Sequence, residues 1–280
     1  MAIITISRGS YSRGKKVAES LAQRLGYECI SRDILLEAST DFNIPEIRLI
    51  KALHDAPSVL ERFSHGKERF ISYFCSSFYN HVVKDNVVFH GLAGHFFLQN
   101  ISHVLKVRII ANLEDRVQEE MKRENCSADK ARYSLKKDDE ERRKWGMHLY
   151  GKDTGCCSLY DMVLHIDVLS VNDVVGILEK TIKKNKFKAT VESKEKLKIR
   201  TLLANIHAEI VDTSPRASVE FDDGVILLGN LEGPLKSDKK TRQDTVNSLI
   251  KTYELKNVIF KKPVKARKDH INPFYNLDLD

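Results

Sequence analysis

The sequence predicts an α/β protein, a parallel sheet covered by helices on both faces, followed by a small α+β domain. Three observations carry that prediction. Short β-rich runs alternate with helical segments from Ile3 to Ile182, a glycine-rich loop lies between the first strand and the first helix, and a lysine-rich stretch near Asn185 precedes a different order of elements.

Ile3-Ile4-Thr5-Ile6-Ser7 reads as a short buried strand. The residues after it, Gly9-Ser10-Tyr11-Ser12-Arg13-Gly14-Lys15-Lys16, fit the glycine-rich phosphate loop through its lysine. A helix follows, because Val17, Ala18, Leu21, Ala22 and Leu25 recur at helical spacing and Gly26 stands where a left-handed C-cap is expected. Unpaired N–H groups at that helix start, the helix dipole and the Lys15 ammonium all favour a polyphosphate, which makes residues 9–16 the expected nucleotide cradle. A structural turn that merely contains glycine and lysine is the alternative. Lys16 occupies the place where a Ser or Thr hydroxyl would meet magnesium. Either Ser10, Ser12 or water then holds the metal, or the loop binds phosphate without a normal magnesium site.

Tyr27 to Ile30 is the second expected strand, and Ile34 opens another helix. Between them Arg32 and Asp33 fall at a strand's C-terminal edge, where parallel sheets gather ligands; a surface salt bridge is the competing reading. Residues 43–86 read as several helical pieces whose Phe70, Tyr73, Phe74 and Phe78 belong to a core rather than to a cofactor box. Asn86 to Gly91 is a strand and turn, with Gly91 and Gly94 allowing close backbone approach. His90 and His95 lack a third ligand in the sequence around them, so they read as hydrogen-bonded structural residues, and no metal site is expected.

Val104 to Ile110 forms the next strand. From Arg116 to Lys144 the composition turns to a highly charged pair of helices, with Ser127 as N-cap of the second. Asp139 and Arg142, three apart, share a helix face. That helix is either a solvated, ion-paired surface or a lid that brings arginines over a transferring phosphate. Tyr160 to Ile166 supplies the last strand of this region and Val171 to Ile182 its closing helix.

Composition sets the class. Of 280 residues, 42% are hydrophobic and 30% charged, with no apolar run of membrane-spanning length. Met1-Ala2-Ile3 opens without a basic region followed by a long apolar segment, so a cytoplasmic protein is expected. Five cysteines, an odd number without zinc-site spacing, agree with a reducing compartment, and Cys156-Cys157 reads as two small loop residues rather than a redox pair. The net charge of +7 favours anionic partners. Nucleic acid is the least favoured of these, since no aromatic platform accompanies the lysines of the second half.

The expected domain layout is 1–184 for the parallel-sheet domain, 185–196 for a linker or exposed helix start, 197–265 for the small domain, and 266–280 for a tail. Within the small domain an apolar-faced helix ends near Ile210, Ala217 to Phe221 and Val225 to Leu228 form a hairpin through Asp222-Asp223-Gly224, Lys239 to Tyr253 is a helix, and Val258 to Phe260 a final strand. This order resembles the small bacterial BON-type domain, including Gly224-Val225 and Gly229 around the second strand. The resemblance implies a regulatory or docking module with an anionic ligand or a protein as partner.

The first 182 residues resemble the cytidylate kinase-like family of P-loop nucleoside monophosphate kinases. The likeness rests on Ile6-Ser7-Arg8, Gly14-Lys15 with Val17-Ala18, Arg32-Asp33-Ile34-Leu35, Gly91 after a valine-rich strand, and Arg116 after Ile110-Ala111. It rests also on Lys137, Asp139 and Arg142, and on Tyr160-Asp161. It implies a three-layer P-loop kinase fold, ATP as phosphoryl donor, Mg2+, and a nucleoside monophosphate such as CMP as acceptor. By the same resemblance Lys15, Arg123, Asp139 and Arg142 would be catalytic, the loop residues Gly9 to Lys16 would hold the donor, and Arg32, Asp33 and Gly91 would face the acceptor. Leu92 follows Gly91 where such kinases show an arginine for the acceptor phosphate. With Lys16, it motivates a second expectation: a nucleotide-binding regulatory protein that signals through its C-terminal domain.

Overall fold

A computed structural model of the chain describes residues 2–9, 12–31, 66–91 and 94–261. Ser10, Tyr11, Arg32, Asp33, Leu92, the helix expected from Ile34 and the tail after Lys261 lie outside the described residues. The chain divides into two compact units, Met1–Ile34 with Lys84–Lys194 and Leu35–Val83 with Glu195–Asp280.

The elements run β1 (Ile3–Arg8), α1 (Gly14–Leu25), β2 (Glu28–Ile30), α2 (Gly66–Val82), β3 (Val87–His90), α3 (Gly94–Phe97), β4 (Val104–Ala111), α4 (Leu113–Glu124), α5 (Ala128–Tyr150), β5 (Met162–Ile166) and α6 (Val171–Ile182). Then follow α7 (Val191–Ile210), β6 (Ser218–Asp222), β7 (Val225–Gly229), α8 (Gly233–Ser237), α9 (Lys239–Tyr253) and β8 (Asn257–Phe260).

In the first unit five parallel strands stand in the order β2-β3-β1-β4-β5. The central β1 is flanked by β3 and β4, with Ile3 beside both Val87 and Val104. Strand periodicity sorts the side chains to two faces. Ile4 and Ile6 join Leu105, Val107 and Ile109 in one core with Val17 and Leu21 of α1 and Val174 and Leu178 of α6. The alternate positions, among them Thr5 and Ser7, turn to the other face, where α3 approaches the sheet closely enough that a Cβ on Gly94 would meet Phe89 Cδ1 of β3 at 2.5 Å and Thr5 Cγ2 of β1 at 3.4 Å. Helix ends follow the expected chemistry. Gly26 closes α1 at φ 66 with its N–H on the Ala22 and Gln23 carbonyls, Ser127 accepts from the Lys130 N–H, and Ser170 with Asp173 forms a capping box.

In the second unit, β6 and β7 form a hairpin and β8 adds in parallel to β7. Asp223 and Gly224 take φ 41 and 82, the positive values that a two-residue turn between twisted strands demands. Ile226, Leu228 and Val258 pack with Ile206 and Ile210 of α7 and Leu249 of α9. Helix α2, which lies inside the 1–184 stretch read as one domain, belongs by its contacts to this second unit. The reason is chemical. Its Ser72 Oγ lies 2.5 Å from His207 Nδ1, its Ser76 donates to Asn205 Oδ1, and Glu68 accepts from Arg216, so its polar positions pair with α7 and the segment after it. The Phe70, Phe74 and Phe78 rings stack along α2 at 6.0 and 6.2 Å, and all three are buried. Helix α7 starts at Val191, inside the 185–196 stretch read as a linker or helix start, and a 3-10 turn over Asn185–Phe187 precedes it.

Candidate functional site

At the C-terminal edge of β1 and β4 lies a cleft of about 270 Å³. Strand β1 and the loop after it contribute Ser7, Arg8 and Gly9; β4 contributes Arg108, Ile110 and Ala111. Arg116 reaches in from α4, Asp139, Arg142 and Arg143 from α5, and Asp153 to Gly155 close the remaining side. Five guanidinium groups therefore meet two carboxylates. Such an excess of forked cations suits a ligand with several phosphate oxygens.

The loop's shape is held from inside. Ser12, fully buried, places Oγ 3.0 Å from both the Gly9 and the Ile109 carbonyls, donating its proton to one at a time and tying the loop to β4. Arg13 takes left-handed backbone at φ 61 and ψ 9 as the residue before α1, and its side chain leaves the loop to pair with Glu119 at 3.1 Å. At Gly14 a Cβ would stand 2.8 Å from Arg8 Cβ, so only glycine lets the start of α1 pass the strand end.

Over the loop, Arg116 Nη2 donates to Asp139 Oδ2 at 2.6 Å, and a Cβ placed on Gly9 would meet this pair at 3.7 and 3.9 Å. Arg142 donates to the Arg8 carbonyl at 3.0 Å. Asp139 and Arg142, marked in the sequence by their shared helix face, thus both turn to the loop. The other expected catalytic residues stand elsewhere. Lys15 is 61% exposed and pairs with Glu19 at 3.6 Å on the surface of α1, outside the lining of the cleft. Arg123 pairs with Glu120 and Glu124 at 3.0 Å near the end of α4, also outside it. Gly91 donates its N–H to the Ile6 carbonyl at 3.2 Å and does not line the cleft. Lys16 is exposed on α1.

Sequence reasoning did not single out Ser7, Arg108, Arg143 and Tyr160 as site residues. Tyr160 is buried beneath the cleft; its hydroxyl donates to the Thr154 carbonyl at 2.8 Å, lies 3.1 Å from Ser7 Oγ and 3.3 Å from His95 Nε2, and accepts from Arg108 Nη1 at 3.4 Å. Burial, with the charges of Arg108 and Lys106 adding to it, pushes His95 down to about 3, so its ring is neutral in a working cell. One signal was available: the alternation Lys106-Val107-Arg108-Ile109 places a cation on the less apolar face of a strand whose other face is core.

A polyphosphate fits this donor set. Among the described residues protein ligands for magnesium are not assembled: residue 16 brings no hydroxyl, the Ser12 hydroxyl is engaged by carbonyls, and the Asp139 carboxylate is engaged by Arg116, while Ser10 lies outside the described residues. Among the described residues no three carboxylate, thiol or imidazole side chains cluster as a metal site would require.

Comparison with known proteins decides the family. The cytidylate kinase-like family matches residues 3–168. The chain belongs to the cytidylate kinase-like family. A protein of Staphylothermus marinus named cytidylate kinase is 28% identical over 106 residues, which is 38% of this chain and 59% of that protein. The chain thus spans about three-fifths of that relative's length. Among solved structures, an uncharacterized protein from Eubacterium ventriosum superposes with a TM-score of 0.52 at 19% identity, covering 66% of this chain and all of the other. A shikimate kinase from Bacteroides thetaiotaomicron gives a TM-score of 0.43 at 11% identity, over 65% of this chain and 99% of its own. The strand order of the first unit and the Eubacterium ventriosum structure agree on the fold of this family member, a parallel sheet with the glycine-rich loop after its central strand. Among the described residues no helix is long and apolar enough to cross a membrane.

Proposed function

We propose that this member of the cytidylate kinase-like family transfers the terminal phosphoryl group of ATP to a nucleoside monophosphate, CMP before others. The cleft supports this reading: five arginines and two aspartates surround it, beside a glycine-rich loop at the start of α1. Phosphoryl transfer asks mainly for positioning and for cations where charge builds on the moving oxygens. Arg142 and the Arg116–Asp139 pair stand over Gly9, where such cations act. The family match and the name of the Staphylothermus marinus relative favour a nucleotide acceptor, and CMP among nucleotides.

Lys15 joins the machinery in this reading by leaving Glu19. An exposed i,i+4 pair contributes only about 0.3–0.5 kcal/mol, which a bound polyphosphate outweighs. Magnesium accompanies ATP without a protein hydroxyl to receive it at position 16. The deciding assay is ATP turnover against a panel of mononucleotides, with and without magnesium, in the wild-type chain and in Lys15→Ala. We expect turnover with one pyrimidine monophosphate and a loss of about 100-fold or more in the variant. Equal turnover in both would remove Lys15 from the reaction.

A second reading is a nucleotide-binding regulatory protein that transfers phosphate weakly or not at all and signals through its C-terminal domain. The outward Lys15–Glu19 pair and the lysine at position 16 favour it. Calorimetric ATP binding without product for any acceptor is its expected signature, and rapid ADP release with one acceptor rejects it.

A further inference from the structure

Of the five cysteines, Cys75 is buried, Cys29 and Cys126 are half-buried, and the adjacent Cys156 and Cys157 are both exposed. The sequence alone reads this pair as two small loop residues. In the structure their loop is a wall of the arginine-rich cleft, since Asp153, Thr154 and Gly155, the residues just before Cys156, line it.

The segment is held at both ends. The Gly155 N–H donates to Asp153 Oδ1 at 2.7 Å and the Cys156 N–H to the Asp153 carbonyl at 2.9 Å, so the backbone of Cys156 is tied to a residue of the lining. Beyond it a 3-10 turn runs over Cys157–Leu159, where the Leu159 N–H donates to the Cys156 carbonyl at 3.3 Å and the Tyr160 N–H to the Cys157 carbonyl at 3.1 Å. Tyr160 is buried and gives its hydroxyl proton to the Thr154 carbonyl at 2.8 Å, which fastens the segment back to the wall. A group attached at Cys156 therefore stays beside the cleft instead of swinging away with a free loop.

Cys156 is also prepared for attack. Its Sγ lies 3.0 Å from Ser158 Oγ. Hydrogen bonds from the Ser158 hydroxyl and N–H, with the charge of Lys152 adding to them and that of Asp153 opposing, hold the thiol below its ordinary value, whereas burial pushes the Cys75 thiol well up. The thiolate is the nucleophile in disulfide exchange. The cleft beside it selects for charge. Arg8, Arg108, Arg116, Arg142 and Arg143 line the same hollow as Asp153, with Asp139 as the other carboxylate. This excess of guanidinium groups concentrates anions at the wall and repels cations.

We propose that Cys156 is a modification site for anionic low-molecular-weight disulfides, and that the attached half occupies the arginine-rich cleft and excludes nucleotide from it. Exclusion of nucleotide rests on the kinase reading of the cleft; the exchange itself does not. The Cys156 thiolate attacks one sulfur of the disulfide, a new S–S bond forms between them, the disulfide's own S–S bond breaks, and its other half leaves as a thiolate that takes a proton from solvent. The Cys156 sulfur is oxidised and the departing sulfur reduced, so the disulfide is the oxidant and no other is needed. A thiol reductant reverses the step.

The test exposes the full, reduced chain to oxidised glutathione, whose carboxylates outnumber its ammonium groups, and to cystamine, whose charges are all ammonium, and maps the adducts by peptide mass. Each rate is divided by that of the same chain unfolded in urea. We expect Cys156 to react with oxidised glutathione faster than with cystamine by about tenfold or more on this scale, and the preference to shrink at high salt. The fully modified chain should bind ADP more weakly in calorimetry by about tenfold or more, and dithiothreitol should restore the affinity. Cys156→Ser should bind ADP as wild type does and be indifferent to oxidised glutathione. An adduct on Cys157 in place of Cys156, a Cys156–Cys157 disulfide without adduct, equal normalised rates, or unchanged ADP affinity in the modified chain each overturns the proposal. Should Cys156→Ser fail to fold, the adduct map and the ADP affinity of the wild-type chain before and after modification decide. If the unmodified chain binds no ADP, the kinase reading fails, while the adduct map and the normalised rates still judge Cys156.

Discussion

Arg116 on α4 and Asp139 on α5 meet at 2.6 Å directly above Gly9. The guanidinium is 10% exposed and the carboxylate 37%, so the pair bridges the two charged helices at the edge of solvent. Replacing Asp139 by Asn keeps the shape and removes the charge, leaving Arg116 in the cleft without its counter-ion. We expect a stability loss of about 1–2 kcal/mol in urea unfolding, from one charge-assisted hydrogen bond. Phosphoryl transfer should fall further than stability does, because α5 then holds Arg116 over the loop more weakly. A variant as active as wild type would remove the pair from the site.

Ser12 gives a test of the loop alone. Its buried hydroxyl stands between the Gly9 and Ile109 carbonyls. Ser12→Ala removes that hydroxyl and leaves the Gly9 carbonyl with the Ser12 N–H and the Ile109 carbonyl with the Gly9 N–H, at a cost of about 0.5–1.5 kcal/mol for one lost hydrogen bond. Thermal unfolding should report that loss, and calorimetry should report weaker ADP binding, since the loop then loses one of its ties to β4 and keeps the Gly9 N–H bond to the Ile109 carbonyl.

Gly14→Ala tests close approach rather than hydrogen bonding. The added methyl would lie 2.8 Å from Arg8 Cβ and 3.0 Å from its Cδ, forcing Arg8 or the helix start to shift. Since the Arg8 carbonyl receives Arg142, the shift reaches α5. We expect ADP affinity to fall by about tenfold, roughly 1.4 kcal/mol, with the far-ultraviolet circular dichroism unchanged.

Acid sensitivity of the second unit follows from His207. Burial pushes its imidazole down to about 4 from an ordinary value of 6.5. A histidine whose folded pKa is depressed stays neutral in the fold and gains its proton more readily when unfolded. Its contribution is therefore full above pH 6.5 and is lost as pH falls through that value toward about 4, on the order of 3 kcal/mol in all. His207→Gln should flatten urea midpoints across pH 4–7 relative to wild type. An equal slope in both proteins would reject His207 as the group responsible.

Much of the architecture is legible along the chain because it rests on local chemistry. The run Ile3 to Ser7 is apolar-rich and buried, Val17, Leu21 and Leu25 fall on one helical stripe before Gly26, Ser127 caps its helix, and Asp222-Asp223-Gly224 turns the hairpin with positive φ values at Asp223 and Gly224. The periods of 2 and 3.6 and the turn residues act within a few positions, so a one-dimensional reading reaches them. The shared helix face of Asp139 and Arg142 was legible for the same reason.

What that face meets was not. Sequence spacing places Lys15 in a phosphate loop, but whether its ammonium turns to the cleft or to Glu19 depends on rotamers and charges in three dimensions. Helix α2 reads like its neighbours in the chain, yet Ser72 finds His207, 135 positions away, and the contact draws α2 to the second unit. The gathering of Arg8, Arg108, Arg116 and Arg142 around one hollow is likewise a product of strand order, since β4 comes to lie beside β1 only after the chain has crossed over to β2 and returned through β3. The chain by itself determined its elements, their caps and the family to which it belongs, because those depend on near neighbours and on motif. Tertiary structure alone decided which charges are paired and which face a ligand, because Coulomb energy and desolvation are set by distance and burial, and neither is written in the order of residues.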